Sequence, residues 1–174
     1  MNTSNFSTIV VGHQRCGKTT FAHTFAQAYP RKVLAVSPDD RETIFSPYPD
    51  LEEWDARSKI KKVVYQKSLN NSLLKFSRGL MIFDDCRYYI SKHDEFFAQM
   101  LIRKRQHDRD MIFIVHSMFD FPPALMQFIN GIYIYPFFDA PERLKGRFWG
   151  WDRFEQVWTR VNQTKVPEYF PIFV

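Results

Sequence analysis

The stretch Ile9-Val10-Val11-Gly12-His13-Gln14-Arg15-Cys16-Gly17-Lys18-Thr19-Thr20 constrains this chain more than any other. An apolar run stops at Gly12, and Gly17, Lys18 and Thr19 follow at the G-x-x-x-x-G-K-[ST] spacing of a loop that binds phosphate. The geometry explains the spacing. Gly12 and Gly17 permit the turn and a close approach, so the backbone N–H groups of His13, Gln14, Arg15 and Cys16 can wrap a polyphosphate. Lys18 brings a point charge to the β- and γ-phosphates, and the Thr19 hydroxyl is placed to ligate magnesium. Residues from Thr19 through Thr20 to Ala28 read as the first helix, whose N-terminus adds its positive end to the site. Such a loop between strand and helix predicts a bound nucleotide with magnesium. The chain contains no Asn-Lys-x-Asp guanine-recognition motif, which favours ATP.

Length and composition set the outer limits. A chain of 174 residues suits one domain with a sheet covered by helices. No run of 18 or more apolar residues occurs, so no transmembrane helix is expected. The segment Met-Asn-Thr-Ser-Asn-Phe-Ser lacks the basic and apolar parts of a signal peptide. Two cysteines, Cys16 and Cys86, make no disulfide framework and fit a reducing, cytosolic setting. The net charge of +5 is compatible with a polyanionic partner and does not by itself select one.

Five apolar runs recur with helical or polar segments between them: Thr8 to Val11, Val33 to Val36, Gly79 to Phe83, Met111 to Val115, and Gly131 to Tyr135. Runs so bare of charge suit strands covered on both faces. Lys62 to Tyr65 reads either as an edge strand or as part of the next helix. Helices are predicted over Ser68–Phe76, Asp94–Gln106, Pro122–Ile129, Glu142–Phe148 and Trp151–Val161. Between Ser37 and Pro49 lies a long irregular loop with Phe45 and Tyr48, and Leu51–Arg57 could add helical turns. The alternation predicts a single three-layer α/β domain over residues 1–174 with a mostly parallel central sheet. Its core would run from about 7 to 138, followed by a helical and extended C-terminal extension over about 139–174. Residues 169–174 are apolar and are expected to cover the domain, with docking to another protein as the alternative.

A second motif is Leu80-Met81-Ile82-Phe83-Asp84-Asp85, an apolar strand ending in two carboxylates. Asp84 is assigned to magnesium beside Thr19, and Asp85 to activating the attacking water, although adjacency alone allows the reverse. The strand between this one and the phosphate loop would be Met111–Val115, whose end presents His116 or Ser117 to the γ-phosphate as a candidate sensor, with His116 as a cap of the strand or of the next helix as the alternative. Numbered in chain order, the five strands would then lie in the order 5-1-4-3-2. A dense basic run, Arg103-Lys104-Arg105-Gln106-His107-Asp108-Arg109, reads either as the solvated end of a helix, with basic side chains near its negative pole, or as the source of an arginine acting on a neighbouring subunit's nucleotide. Arg103 and Arg105 lead, and Arg109 follows. The mixture of Arg143, Lys145, Arg147 and Arg153 with Phe148, Trp149 and Trp151 reads either as a surface for single-stranded nucleic acid or as an amphipathic helix packing its aromatic residues.

Over about residues 7–138 the order of these patterns resembles the HerA/FtsK superfamily of P-loop ATPases, nearest the compact genome-packaging ATPases of viruses and related to the Zot-like assembly ATPases of filamentous phages. The resemblance is carried by Gly12–Thr19, by Leu80-Met-Ile-Phe-Asp-Asp-Cys-Arg87, and by the stretch from Leu101 through the basic run to Ser117. Asp85 stands where family members usually have glutamate, and His116-Ser117 where glutamine or asparagine is common. The resemblance implies a magnesium-dependent, ATP-hydrolysing motor that translocates DNA as a homo-oligomeric ring, six-membered in the family. It further implies the virion or host cytoplasm as location, and a capsid or membrane protein at the packaging vertex as a further partner. The competing readings are a small nucleoside- or nucleotide-like P-loop kinase and a nucleotide-dependent assembly switch. The acidic pair argues against the kinase.

Overall fold

The computed structural model describes residues 5–40, 44–45, 59–90, 94–146 and 150–172. The proposed turns at Leu51–Arg57, most of the irregular loop with Tyr48, and the aromatic pair Phe148-Trp149 lie outside the described residues. The strands are β1 Ser7–Val11, β2 Lys32–Ser37, β3 Ile60–Val64, β4 Gly79–Phe83, β5 Arg109–Val115, β6 Gly131–Ile134 and β7 Glu168–Pro171. The helices are α1 Lys18–Ala28, α2 Asn70–Lys75, α3 Asp94–Ile102, α4 Pro123–Met126, α5 Pro141–Leu144 and α6 Trp151–Thr164.

The strands form one seven-stranded sheet in the order β3-β2-β4-β5-β1-β6-β7. All neighbours run parallel except β6 and β7. The full order differs from the five-strand expectation because two edge strands are added. Ile60–Val64 takes the strand alternative left open for Lys62–Tyr65, and the tail folds back as an antiparallel strand. Among the five expected strands the relative order is kept.

Both faces of the sheet are covered, and the pleat sorts residues between them. Ile9, Val11, Met111, Phe113 and Val115 face one side, against α3, α4 and α6. There Phe83 stacks on Phe113 at 5.1 Å, and Phe97 of α3 meets Phe83 edge-on at 5.2 Å. Val10, Ile112 and Ile114 face the other side, where α1 contributes Ala22 and Ala26. These small residues let the helix that follows the phosphate loop lie close to the sheet. The aromatic richness of the chain, 17% of its residues, is thus spent largely on the first face.

Several helices are shorter than their sequence patterns. The α3 helix stops at Ile102 instead of reaching Gln106, because the chain turns back through Asp108 at φ 49 to start β5. The expected helix to Ile129 is cut to Pro123–Met126: Phe128 and Ile129 bond three residues back, a tighter turn that delivers the chain to β6. The α5 helix is a single turn, whereas α6 runs three residues beyond its expected end. It buries Phe154, Val157 and Val161, and β7 then pairs with β6 so that Phe170 packs edge-on against Phe154 at 5.4 Å. Gly131 lets the Tyr169 ring lie across the strand. A Cβ at this position would lie 2.1 Å from the Tyr169 hydroxyl.

The register places the chemistry. Val11 is level with Val115, so Gly12 and His116 leave the sheet side by side. Phe83 is level with Phe113, so Asp84 and Asp85 emerge at the same end.

Candidate nucleotide-binding site

The loop from Gly12 to Gly17 fills the space above β1. A Cβ on Gly12 would come within 2.5 Å of the Tyr135 Cβ and 2.7 Å of the Cys16 Sγ, so only glycine fits. Gly17 at φ +95 and Arg15 at φ 62 turn the chain into α1. The His13 N–H donates to the Pro136 carbonyl at 2.9 Å, tying the loop to the segment after β6. Gln14, Arg15, Gly17, Lys18, Thr19, Thr20 and His116 line a cleft of about 410 Å³.

Lys18 is the charge at its centre. It is only 5% exposed, and its ammonium donates to the carbonyls of Gly12 at 2.6 Å and His13 at 2.7 Å. Burial pushes its pKa below the ordinary lysine value, and nearby Cys16, Asp84 and Asp85 work in the opposite sense. The His116 Nδ1 lies 3.3 Å from the same ammonium. Since an ammonium can only donate, Nδ1 is the acceptor and Nε2 carries the ring proton in neutral imidazole. Nε2 faces Asp85 Oδ1 at 3.6 Å. A continuous chain of polar groups therefore joins the phosphate loop to the acidic pair.

Asp84 is buried at 4% exposure. The Thr19 hydroxyl donates to its Oδ1 at 3.5 Å, and the same oxygen accepts from the Asp85 N–H at 2.9 Å. The Tyr89 hydroxyl donates to the Asp84 carbonyl at 2.9 Å and fixes the backbone from beneath. Asp85 adopts a left-handed conformation, φ 40, and turns out of the strand direction toward Arg87 and His116. The sequence thus places the two acids next to each other, and the turn separates them: Asp84 stays at Thr19 while Asp85 meets His116 and Arg87.

Thr19, Asp84, Lys18, His116 and Asp85 are therefore brought together. Ser117 is not directed at the cleft. Its hydroxyl donates to both Asp139 carboxylate oxygens, at 2.7 and 2.8 Å, and accepts from the Phe119 N–H in a capping box completed by Asp120. Arg103 and Arg105 sit before β5, at the end where the parallel strands begin, whereas their own subunit's phosphate loop lies where the strands finish. Arg109 is corrected outright: it is fully buried and donates to the carbonyls of Leu73 at 3.3 Å and Leu74 at 3.1 Å, so it cannot reach another subunit. In the C-terminal basic-aromatic cluster, Arg143 lies over Phe119 at 4.8 Å and Arg153 over Phe170 at 5.8 Å. These contacts are internal, as in the packing alternative.

Two residues near the site escaped the sequence reading. Arg87 pairs with Asp85 Oδ1 at 3.0 Å, and its position two residues beyond the acid was the available signal. Phe138 is 81% exposed and stacks on His13, with ring centroids 5.4 Å apart and planes 8° from parallel. Its signal was weaker: an aromatic residue just past the strand that flanks the phosphate loop.

With this geometry in place, the chain can be compared with known proteins. No family profile matches it, and no curated protein sequence does. Solved structures do. The genome packaging NTPase B204 from Sulfolobus turreted icosahedral virus 2, bound to ATP-gammaS, is similar over 97% of this chain and 98% of its own, with a TM-score of 0.64 at 15% identity. Its complex with AMP gives a TM-score of 0.66 at 12% identity over 98% of each chain. B204 of Sulfolobus turreted icosahedral virus, described as a DNA-packaging ATPase, gives 0.64 at 12% identity over 97% and 98%. At this identity the likeness establishes the fold: an α/β domain with a mostly parallel sheet, shared along nearly the whole of both chains.

Proposed function

We propose that this protein is an ATP-hydrolysing motor that translocates DNA to package a viral genome, working as a homo-oligomeric ring of expected six-fold size. One observation carries the reading: Lys18, Thr19–Asp84 and His116–Asp85 meet at the cleft of a fold shared end to end with viral packaging NTPases. Lys18 would leave the loop carbonyls to hold the β- and γ-phosphates. Asp85 would orient water in line with the γ-phosphate and take its proton as the phosphorus–oxygen bond to ADP breaks. His116, touching both Lys18 and Asp85, would register whether the γ-phosphate is present.

The residues fit magnesium. Thr19 and Asp84 offer two hard oxygen ligands 3.5 Å apart, and no larger group of potential metal ligands gathers among the described residues. That suits an ion that keeps waters and takes its remaining ligands from phosphate. When bound, it would neutralise charge on the β- and γ-phosphates. Positive charge near the γ-phosphate can come from Arg87, beside Asp85 in the same subunit, or from the exposed Arg103 or Arg105 of a neighbour. DNA, further copies of the chain, and a capsid or membrane protein at the packaging vertex are the proposed partners. The virion or host cytoplasm is the proposed location. No described helix is long and apolar enough to cross a membrane.

Phosphate release from ATP, measured with and without single- and double-stranded DNA alongside mass by light scattering, tests this. DNA-stimulated hydrolysis by an oligomer is expected. Transfer of phosphate to a nucleoside, indifferent to DNA, would replace the motor with a kinase.

A further inference from the structure

Phe138 is anomalous for a large apolar side chain. It is 81% exposed, yet the backbone beneath it is held on both sides. Two residues earlier, the Pro136 carbonyl accepts from the His13 N–H at 2.9 Å. One residue later, Asp139 accepts from the Ser117 hydroxyl and from the Met118 N–H at 2.7 Å. The His13 imidazole lies alongside the ring, nearly parallel at 8° with centroids 5.4 Å apart, and the ring remains largely open to solvent. His13 belongs to the phosphate loop itself. An aromatic platform is therefore held ready beside the place where a polyphosphate would sit.

We propose that Phe138, backed by His13, is the surface on which the base of the bound nucleotide stacks. This rests on the nucleotide reading of the cleft given above. The loop and Lys18 recognise phosphate and are indifferent to what the phosphate carries, so they would hold inorganic tripolyphosphate as readily as ATP. A flat, exposed, preorganised ring supplies what they lack, because every base has a π-face and stacking needs no matching of donors and acceptors. The preorganisation matters, since the ring would lose little freedom when the base arrives. Such a platform reads area rather than edges. It favours purine over pyrimidine triphosphates and separates adenine from guanine only weakly.

The test compares ATP with inorganic tripolyphosphate in the full chain by titration calorimetry. Phe138→Ala is expected to weaken ATP about 5- to 150-fold, the range of one base–aromatic stack, and to leave tripolyphosphate unchanged. Phe138→Tyr, which keeps the ring, is expected to restore ATP affinity. Retained tripolyphosphate binding shows that Phe138→Ala is folded. If it is lost, Phe138→Trp decides by fluorescence, which ATP should quench and tripolyphosphate should not. Equal ATP affinity in Phe138→Ala and the wild-type protein overturns the platform, as does weakened self-association with ATP affinity intact, which would make Phe138 a subunit contact. A wild-type chain that binds tripolyphosphate with no advantage for ATP also overturns it and leaves the phosphate loop standing. Binding of neither would remove both readings.

Discussion

The two ends of the parallel strands both carry charged side chains and use them in opposite ways. At the end where the strands begin, charges are consumed by the protein. Arg31 bridges Asp108 at 2.7 Å and Asp110 at 3.1 Å, and the Tyr29 hydroxyl also donates to Asp110. Lys104 donates to Ser7, Phe128 and Asn130, and burial pushes its pKa down to about 8. Arg109 satisfies the last carbonyls of α2. At the end where the strands finish, Lys18 is held by loop carbonyls, the Cys16 sulfur and a histidine, and Asp85 is shared between Arg87 and His116. Closed networks hold a fold together. A charge that lines a cleft, as Lys18 does, can exchange its carbonyl partners for phosphate oxygens, whereas Arg109, fully buried on its carbonyls, cannot. Density of charge in the sequence distinguishes neither.

The largest expected effect would break this division. If Arg103 or Arg105 completes a neighbour's site, its alanine variant should bind ATP normally and hydrolyse it about 1,000- to 100,000-fold more slowly. Mixing that variant with Lys18→Ala should then recover activity, because an intact loop can meet an intact arginine across a subunit boundary. No rescue in demonstrably mixed oligomers confines Arg103 and Arg105 to the structural end.

Within the open cluster, Asp85→Asn should slow hydrolysis about 100- to 10,000-fold while ATP still binds, as checked by single-turnover rates and equilibrium titration. If Asp84→Asn keeps magnesium-dependent binding and Asp85→Asn loses it, the two acids exchange roles. Lys18→Ala should cost on the order of 100- to 1,000-fold in hydrolysis while the protein still folds.

The lysine also sets a pH dependence. Burial lowers the Lys18 pKa in the free protein, whereas bound phosphate favours the ammonium and raises it. ATP binding therefore takes up a proton at pH values between those of the free and the bound lysine. Affinity should fall as pH rises, beginning below the ordinary lysine pKa of 10.5, and Lys18→Arg should move that fall to higher pH. The smallest effect belongs to the closed end: Arg109→Ala should lower stability by about 1–3 kcal/mol by leaving two carbonyls unpaired, with ATP affinity of the folded fraction unchanged.

The parts legible in the sequence were those whose residue types admit few other uses. The Gly12–Thr19 spacing and the apolar runs placed the loop and the inner strands, because a glycine-framed turn and a strand covered on both faces each demand a narrow composition. The acidic pair marked the right strand end. What stayed hidden depends on backbone direction over a few residues. Nothing in Asp84-Asp85 announces that Asp85 turns left-handed and faces His116, nor that Ser117 spends its hydroxyl on Asp139. The basic run misled at Arg109 because a buried guanidinium serving two carbonyls looks, as letters, like a solvated one. Helix ends misled for a related reason: periodicity at Asp94–Gln106 continues past the point where the chain must turn to enter β5.

The antiparallel edge has a consequence for the order in which the sheet can be made. Strand β6 borders β1 on one side, and its other side is closed only by residues 168–171. During synthesis some 34 residues, the interval from Ile134 to Glu168, must follow before that row of amides and carbonyls meets its partner. Until then the nascent domain presents an unpaired strand edge with Gly131 uncovered, a template for wrong pairing between chains. Tyr169, laid across that glycine, is in this sense a late latch: translation finishes the sheet only when it delivers the ring that seals it.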